Sequence, residues 1–305
     1  KPLKDLDIEI EKLISNDPES ENIKILDDKR TEVEKEIFKD LSPWETVQLA
    51  RHPNRPYTLD YINKWCENFT ELHGDKAYSD DSAVVAGIGI IEGVKLAIIG
   101  QQKGRNTKEN IQRNFGMMKP EGYRKALRVM KLAEKFNLPI VTLIDTPGAD
   151  PGIGAEERGQ GYAIAKNLFE MASIETQILS VVIGEGASGG ALGIGLCDKM
   201  IMLEHTWFSV ISPEGCASIL WKDSTKAPEA ADSLKLTPKD LMEHNICNSI
   251  VYEPSGGAHR HFDETADILK DAILVEIKSM QESITKNYLD LRVERYDKLG
   301  VFRED

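Results

Sequence analysis

Gly184-Glu185-Gly186-Ala187-Ser188-Gly189-Gly190 decides how this chain is read. It follows the apolar run Ile178–Ile183, predicted to be a buried strand, and opens a short helix that runs to Leu196. A strand, a glycine turn and a helix N-terminus make one α/β unit, and the turn fits three motifs. As Gly184-x-Gly186-x-x-Gly189 it matches the dinucleotide fingerprint, with Glu204 at the end of the next strand near the spacing of a ribose ligand. As Gly186-x-Ser188-x-Gly190 it matches the nucleophile elbow, and His205, His244, His259 and His261 leave a triad open. As a bare strand–Gly-Gly–helix turn it presents unhindered backbone N–H groups able to stabilise an oxyanion. Gly193 and Gly195 interrupt the helix at about 1 kcal/mol each relative to Ala, which weakens the first motif. Small residues on both sides of Ser188 suit tight packing as well as catalysis, which weakens the second. The third asks only for close main-chain approach and no Cβ, which glycine supplies.

Working outward, the same kind of unit recurs. Ala83–Ile91 and Val94–Gly100 form a hairpin across Glu92-Gly93. A polar loop from Gln101 to Lys119 leads to a helix opened by Pro120, with a stripe of Tyr123, Leu127, Met130, Ala133 and Phe136. Pro139–Asp145 is a strand ending at Thr146-Pro147-Gly148, and Glu157–Ala172 is helical. Strands are predicted at Lys199–Leu203 and Phe208–Ile211. Helices follow at Glu214–Trp221, at Pro238–His244 under a Thr237 cap, and from about Phe262 to Leu291. Repeated β-β-α units predict an α/β spiral rather than a doubly wound sheet.

Toward the N-terminus, Leu6, Ile10 and Leu13 mark one helix face and Val33, Ile37 and Leu41 another, on either side of the turn Ser15–Ser20. This predicts a helical hairpin or arm over residues 1–43, with the main domain and its C-terminal helices over 44–305. Trp44, Trp65 and Phe69 lie in helical patches broken by Pro53 and Pro56.

Among 305 residues, 38 Lys and Arg oppose 51 Asp and Glu, a formal charge of −13. That balance argues against nucleic acid or an anionic membrane as partner. Cys66, Cys197, Cys216 and Cys247 have neither metal-ligand spacing nor a disulfide framework, so buried thiols in a reducing compartment are expected. The first residues lack a signal-peptide core, and no apolar run reaches the roughly 18 to 20 residues of a membrane helix. A soluble, cytoplasmic protein is expected.

Several motifs in order resemble one family. They include Leu72-His73-Gly74-Asp75, Ile99-Gly100-Gln101-Gln102-Lys103-Gly104-Arg105 and Arg113-Asn114-Phe115-Gly116-Met117. Pro120–Arg128, Ile144–Ala149, Ala155–Gly161, the glycine turn through Leu192, Val210–Ala217, Ile219–Asp223 and Glu253–His259 continue the series. From about residue 41 onward the chain resembles the alpha subunit of the bacterial and plastid acetyl-coenzyme A carboxylase carboxyltransferase. The resemblance implies a crotonase-like spiral fold and an α2β2 heterotetramer whose homologous beta subunit carries the zinc ribbon. The absence of Cys-x-x-Cys here fits the half without zinc. It further implies transfer of the carboxyl group of carboxybiotin, held on a biotin carboxyl carrier protein, to acetyl-CoA. The product is malonyl-CoA for fatty acid synthesis, and biotin carboxylase belongs to the larger complex. A plastid source would place the chain in the stroma.

On that basis the N–H groups of Gly189 and Gly190 are the expected oxyanion donors, and Gly116 and Met117 a further wall or donor pair from the first repeat. Ser188, Ala187, Arg158, Lys103, Arg105 and Arg113 are the expected substrate contacts. Lys103 to Lys135 carries ten bases against three acids. It reads either as a contact for coenzyme A phosphates or an acidic carrier, or as a solvated helix face. Arg158, Asp145 and Glu156 read either as ordering the loop under the biotin or as ion-pair scaffolding. The alternatives are a stand-alone crotonase-type acyl-CoA hydratase or isomerase, and a non-catalytic scaffold.

Overall fold

The structure is a computed structural model that describes residues 2–282 and 287–300. Helices α1 (Pro2–Asn16) and α2 (Glu21–Phe38) are followed by α3 (Pro43–Ala50) and α4 (Thr58–Trp65). Then come β1 (Asn68–Glu71), β2 (Val84–Ile91), β3 (Val94–Gln101), α5 (Thr107–Gln112), α6 (Pro120–Lys135) and β4 (Ile140–Thr146). Next are α7 (Ile153–Glu157), α8 (Gln160–Ala172), β5 (Ile178–Ala187), α9 (Ser188–Gly195), β6 (Lys199–Leu203) and β7 (Trp207–Ser209). The chain continues with α10 (Pro213–Leu220), α11 (Ala227–Leu234), α12 (Pro238–Glu243), β8 (Ser249–Val251), α13 (Phe262–Glu282) and α14 (Tyr288–Asp297). Helices α3, α6, α10 and α12 all start on proline, whose fixed φ suits the first turn and whose missing N–H is not needed there. Ser42, Ser212 and Thr237 cap three of them with their hydroxyls.

The sheet runs β1-β2-β3-β4-β5-β6-β8, antiparallel through β3 and parallel beyond it. Strand order follows chain order with no reversal, so every crossover advances in one direction. That is the spiral winding the repeats predict, not a doubly wound sheet with a switch point. Side chains alternate across the parallel strands. Ile140, Ile144, Ile178, Val182, Met200 and Met202 pack toward α6, α8 and α9. Val141, Leu143, Leu179, Val181, Ile183, Ile201 and Leu203 pack toward α4 and α13. Both faces are covered, which is why these strands read as continuous apolar runs.

Strand β5 is the longest, and it changes neighbours along its length. Leu179–Val182 pairs with β6, whereas Glu185–Ala187 pairs with β7. Between the two, its register with β4 slips, from Ile144↔Val182 to Thr146↔Gly186. This bulge re-aims the end of β5 and sets the direction in which α9 leaves the sheet.

The α1–α2 hairpin forms as expected and packs on the body. Arg260 binds Asp7 at 2.6 Å, and buried Glu34 lies against Gly256, where φ is +90° and a Cβ would come within 2.7 Å of the carboxyl carbon. Three expected elements differ in extent. The expected helix over 157–172 starts only at Gln160, since Gly159 with φ +80° parts it from α7, which ends at Glu157. The strand expected at Phe208–Ile211 spans Trp207–Ser209 because it pairs only with the last three residues of β5. The expected helix from Phe262 to Leu291 ends at Glu282 within the described residues, and α14 starts anew at Tyr288 under an Asn287 cap.

Arg55 and Glu253 form a fully buried ion pair at 2.6 Å that joins the α3–α4 connection to the segment after β8. Burial pushes the Glu253 carboxyl up, but Arg55, His205 and the Ala258 N–H outweigh it and hold the pKa down at about 2. A depressed carboxylate stabilises the fold above its ordinary pKa of 4.5, and that contribution is lost as pH falls from 4.5 toward about 2. Glu253→Gln is therefore expected to lower stability at neutral pH by about 3 kcal/mol or more, because Arg55 is left buried and unpaired. Between pH 4.5 and 2 its melting temperature is expected to fall less steeply than that of the parent, as read by thermal unfolding.

Candidate functional site

The glycine turn stands where β5 ends and α9 begins. Ala187, buried, is the N-cap and has no side-chain oxygen to offer, so the first turn of α9 is uncapped. Gly189 and Gly190 are its second and third residues, with no intrahelical acceptor one turn back, and among the described residues neither N–H donates to a group outside the helix. Two main-chain donors at the positive end of a helix are thus available to a developing negative charge. The glycines differ in what surrounds them. A Cβ on Gly190 would fall 2.3 Å from the Gly148 carbonyl carbon and 2.6 Å from the Ala149 nitrogen. A Cβ on Gly189 would meet only Ile164 Cδ1, at an ordinary 3.4 Å.

Ser188 is exposed and holds φ +55°, a sharp strand-to-helix turn like that of a nucleophile elbow. No histidine is hydrogen-bonded to it among the described residues. His205 packs on Phe38 and lies 3.8 Å from Glu204, and His259 stacks on His52 at 4.1 Å. Glu204, the ribose candidate of the dinucleotide motif, accepts the N–H of Glu253 at 3.1 Å instead. Of the three motifs, the structure fits the bare donor pair.

Below the turn runs a chain of buried charge. Lys103, just beyond β3, binds Asp145 at 2.6 Å and Glu185 at 2.9 Å. Glu185 also binds Arg51 at 2.6 Å, and Arg51 reaches on to Glu214. Burial favours the neutral amine at Lys103, but the two facing carboxylates win and raise its pKa. Burial likewise pushes Glu185 up, yet Lys103 and Arg51 together hold it below the ordinary value. Burial pushes Asp145 up and Lys103 pulls against it. The same Asp145 oxygen that binds Lys103 also accepts the Glu185 N–H at 3.0 Å, which pins the β5 bulge. Gly184 is required there, since a Cβ would fall 2.3 Å from the Asp145 carboxylate.

Beside this chain lies a cavity of about 360 Å³ whose lining includes Arg51, Tyr57, Lys103, Asn110, Phe115 and Pro147. Asn114, Phe115 and Gly116 take φ of +45°, +55° and +79° in succession. This turn corrects one expectation. The Gly116 N–H donates to Arg113 O at 2.9 Å and the Met117 N–H to Asn114 O at 2.8 Å, so both are taken up inside the turn. Gly116 and Met117 are therefore not a free donor pair, and it is Phe115 of this turn that lines the cavity.

The cationic candidates are likewise engaged. Arg105 stacks over Tyr57 at 4.0 Å, pairs with Asp60 and donates to the carbonyls of Pro53 and Arg55. Arg113 donates to Ser82 O at 2.9 Å. Arg158 pairs with Glu121 at 2.9 Å and lies over Tyr78, and among the described residues no ion pair joins it to Glu156. Of Lys103, Arg105, Arg113 and Arg158, Lys103 lines the cavity, beside Arg51. The basic segment also turns inward. Lys125 is fully buried against Glu71, Asp80 and the Val84 carbonyl, Arg124 pairs with Asp75, and Arg128 donates to the carbonyls of Leu72, His73 and Gly74. Three of its ten bases thus staple α6 to β1 and the β1–β2 connection, a role neither expected reading foresaw. Sequence reasoning also gave no role to Gln101, Arg51 or Glu185. For Gln101 and Glu185 the available signal was a polar residue near the end of an otherwise apolar strand; Arg51, at the end of α3, carried none.

The sequence matches the family model for acetyl co-enzyme A carboxylase carboxyltransferase-like proteins over residues 1–300. The acetyl-coenzyme A carboxylase carboxyl transferase subunit alpha of Xanthomonas campestris pv. campestris is 52% identical over 306 residues, 99% of this chain and 96% of that protein. The subunit of the same name from Flavobacterium johnsoniae is 48% identical over 309 residues, 99% of this chain and 98% of that protein. Among solved structures, the transcarboxylase 12S core aligns with TM-score 0.56 at 18% identity over 70% of this chain, which spans 42% of that one. The beta subunit of Pseudomonas aeruginosa geranyl-CoA carboxylase gives 0.56 at 17% over 80% of this chain and 46% of that one. A chain of a Pseudomonas malonate decarboxylase hetero-tetramer gives 0.60 at 12%, over 79% and 93%. These distant likenesses show the fold, a crotonase-like α/β fold. By its sequence the chain belongs to the acetyl-coenzyme A carboxylase carboxyltransferase alpha-subunit family.

Proposed function

We propose that this chain is the alpha half of a carboxyltransferase that moves the carboxyl group of carboxybiotin to acetyl-CoA, with the N–H groups of Gly189 and Gly190 holding the biotin ureido oxygen. The observation that carries the site is the uncapped start of α9, where Gly189 and Gly190 follow Ser188 and their N–H groups have no partner outside the helix among the described residues. Carboxybiotin, delivered by a carrier protein, supplies the carboxyl group. The chain's own contribution is to stabilise negative charge at a fixed point, an effect worth on the order of 3 kcal/mol per donor. Gly148 and Ala149 back the turn, and the chain from Lys103 to Arg51 holds the strand ends beneath it. Ser188 and Ala187 frame the turn and Lys103 faces the adjoining cavity. Arg105, Arg113 and Arg158 support surrounding loops. The names of the sequence relatives favour carboxyl transfer over hydration.

A homologous beta subunit is the proposed partner, bringing the thioester and the zinc ribbon. Among the described residues no group of three or more His, Cys, Asp or Glu is arranged to hold a metal. Support for a partner comes from α8, where Tyr162, Ala165, Phe169 and Ala172 form one exposed apolar stripe at helical spacing. Ile164 of the same helix packs on Gly189, so the stripe lies one helix away from the turn. Residues 1–43 are proposed as an arm on the 44–305 domain. The described residues contain no helix long and apolar enough to cross a membrane.

The decisive experiment purifies this chain with its beta partner and follows carboxyl transfer between malonyl-CoA and biotin. Activity in the complex and none in either chain alone is expected; a complex that transfers nothing overturns the reading. Within the active complex Gly190→Ala is expected to lose at least 100-fold in kcat, because its methyl displaces the Gly148–Ala149 main chain. Gly189→Ala, which has room for the methyl, is expected to stay within about tenfold, and steady-state kinetics of the pair checks the order. Ser188→Ala is expected to keep kcat within about threefold, whereas a nucleophilic serine would lose some 10⁴-fold or more on the same assay.

A further inference from the structure

Half of α9 is glycine: Gly189, Gly190, Gly193 and Gly195 in eight residues. Each costs about 1 kcal/mol of helix propensity relative to Ala, and no side chain caps the N-terminus. Its first residue, Ser188, sits in the left-handed region. Nothing local fixes this helix, so its position is set from outside. Three side chains on other elements bind its glycine carbonyls. Asn167 Nδ2 on α8 donates to Gly193 O at 2.9 Å, and Ser180 Oγ on β5 to Gly195 O at 3.3 Å. At the turn itself, Gln101 Nε2 donates to Gly190 O at 2.7 Å.

Gln101 ends β3 and is fully buried. While its Nε2 holds Gly190, its Oε1 accepts the N–H of Asp145 at 3.0 Å, and its own carbonyl accepts the Thr58 hydroxyl at 2.7 Å. The side chain therefore bridges the end of β4 and the first turn of α9. The first repeat carries a parallel device, since Thr146 Oγ1 at the end of β4 donates to Gly116 O at 2.8 Å.

We propose that Gln101 is a positioning residue for carboxyl transfer: by gripping the Gly190 carbonyl it fixes the adjoining peptide planes and so the aim of the N–H pair. The inference rests on the donor role proposed above for Gly189 and Gly190. An oxyanion donor acts only when it is aimed at the charge in the transition state, and a misplacement of about 1 Å costs on the order of 100-fold. A residue that aims such donors acts on kcat more than on substrate affinity.

The test uses the complex of this chain with its beta partner. Gln101→Met keeps the bulk and removes both bonds. It is expected to lower kcat by about 30-fold or more while KM for the coenzyme A substrate stays within about threefold. Gln101→Glu keeps the acceptor for Asp145 but replaces the donor to Gly190, and is expected to lose kcat as the Met variant does. It carries the test if the Met variant does not fold. Thr176→Val is the stability control, a buried hydroxyl bonded to Leu138 O at 3.0 Å near the start of β5. It is expected to lower the melting temperature with kcat within about twofold of the parent. A folded Gln101→Met or Gln101→Glu complex with parental kcat, or one whose loss appears wholly in KM, overturns the positioning role. A parent complex that transfers nothing overturns the donor reading instead, so the two failures are told apart.

Discussion

The site depends on one main-chain contact, the approach of Gly190 to Gly148 and Ala149. With 2.3 Å between a notional Cβ and the Gly148 carbonyl carbon, no side chain can stand at position 190 unless the 146–149 segment moves. That closeness brings the end of β4 and the start of α9 together as one rigid corner. A main-chain donor is only as well aimed as the backbone behind it, so the corner, and not any side-chain functional group, is the catalytic asset proposed here.

Buried charge makes the corner possible. An ion chain from Lys103 through Asp145 and Glu185 to Arg51 is not a strong argument for stability, since desolvation offsets much of what pairing gains. Its geometric effect is clearer. Asp145 takes the Glu185 N–H that the bulge frees from the β-ladder, and Gly184 lets the carboxylate approach. An apolar replacement could fill the volume but could not accept that N–H, and an unmet buried donor is costly. The chain is thus best understood as specifying the bend in β5, which in turn sends α9 away from the sheet.

What the sequence discloses follows from where information is local. The parallel strands are legible because they are covered on both faces and therefore run apolar end to end, as in Ile178–Ile183. Pro120 and Thr237 mark helix starts by chemistry confined to one turn. The glycine turn is legible for the same reason. Partners separated by dozens of residues are not. Lys125 looks like a solvent-facing base in its helix, yet it is buried against Glu71 and Asp80, and periodicity alone cannot say which acids lie opposite. Gly116 and Met117 show the converse limit: their composition resembles a donor turn, but whether an N–H is free depends on three consecutive left-handed residues that close the turn on itself.

A helix made half of glycine is a poor helix and a good platform. Glycine at 189 and 190 leaves the donors unobstructed, while glycine at 193 accommodates the Tyr123 ring, whose nearest carbon lies 2.4 Å from where a Cβ would be. The same substitutions remove the propensity that would hold the helix in place. Gln101, Asn167 and Ser180 answer that weakness from three neighbouring elements, each with a donor to a glycine carbonyl. Rigidity at this turn is therefore a tertiary property, assembled by buried residues of neighbouring elements. Sensitivity to mutation should accordingly extend inward along the strand ends rather than outward along the surface of the cleft.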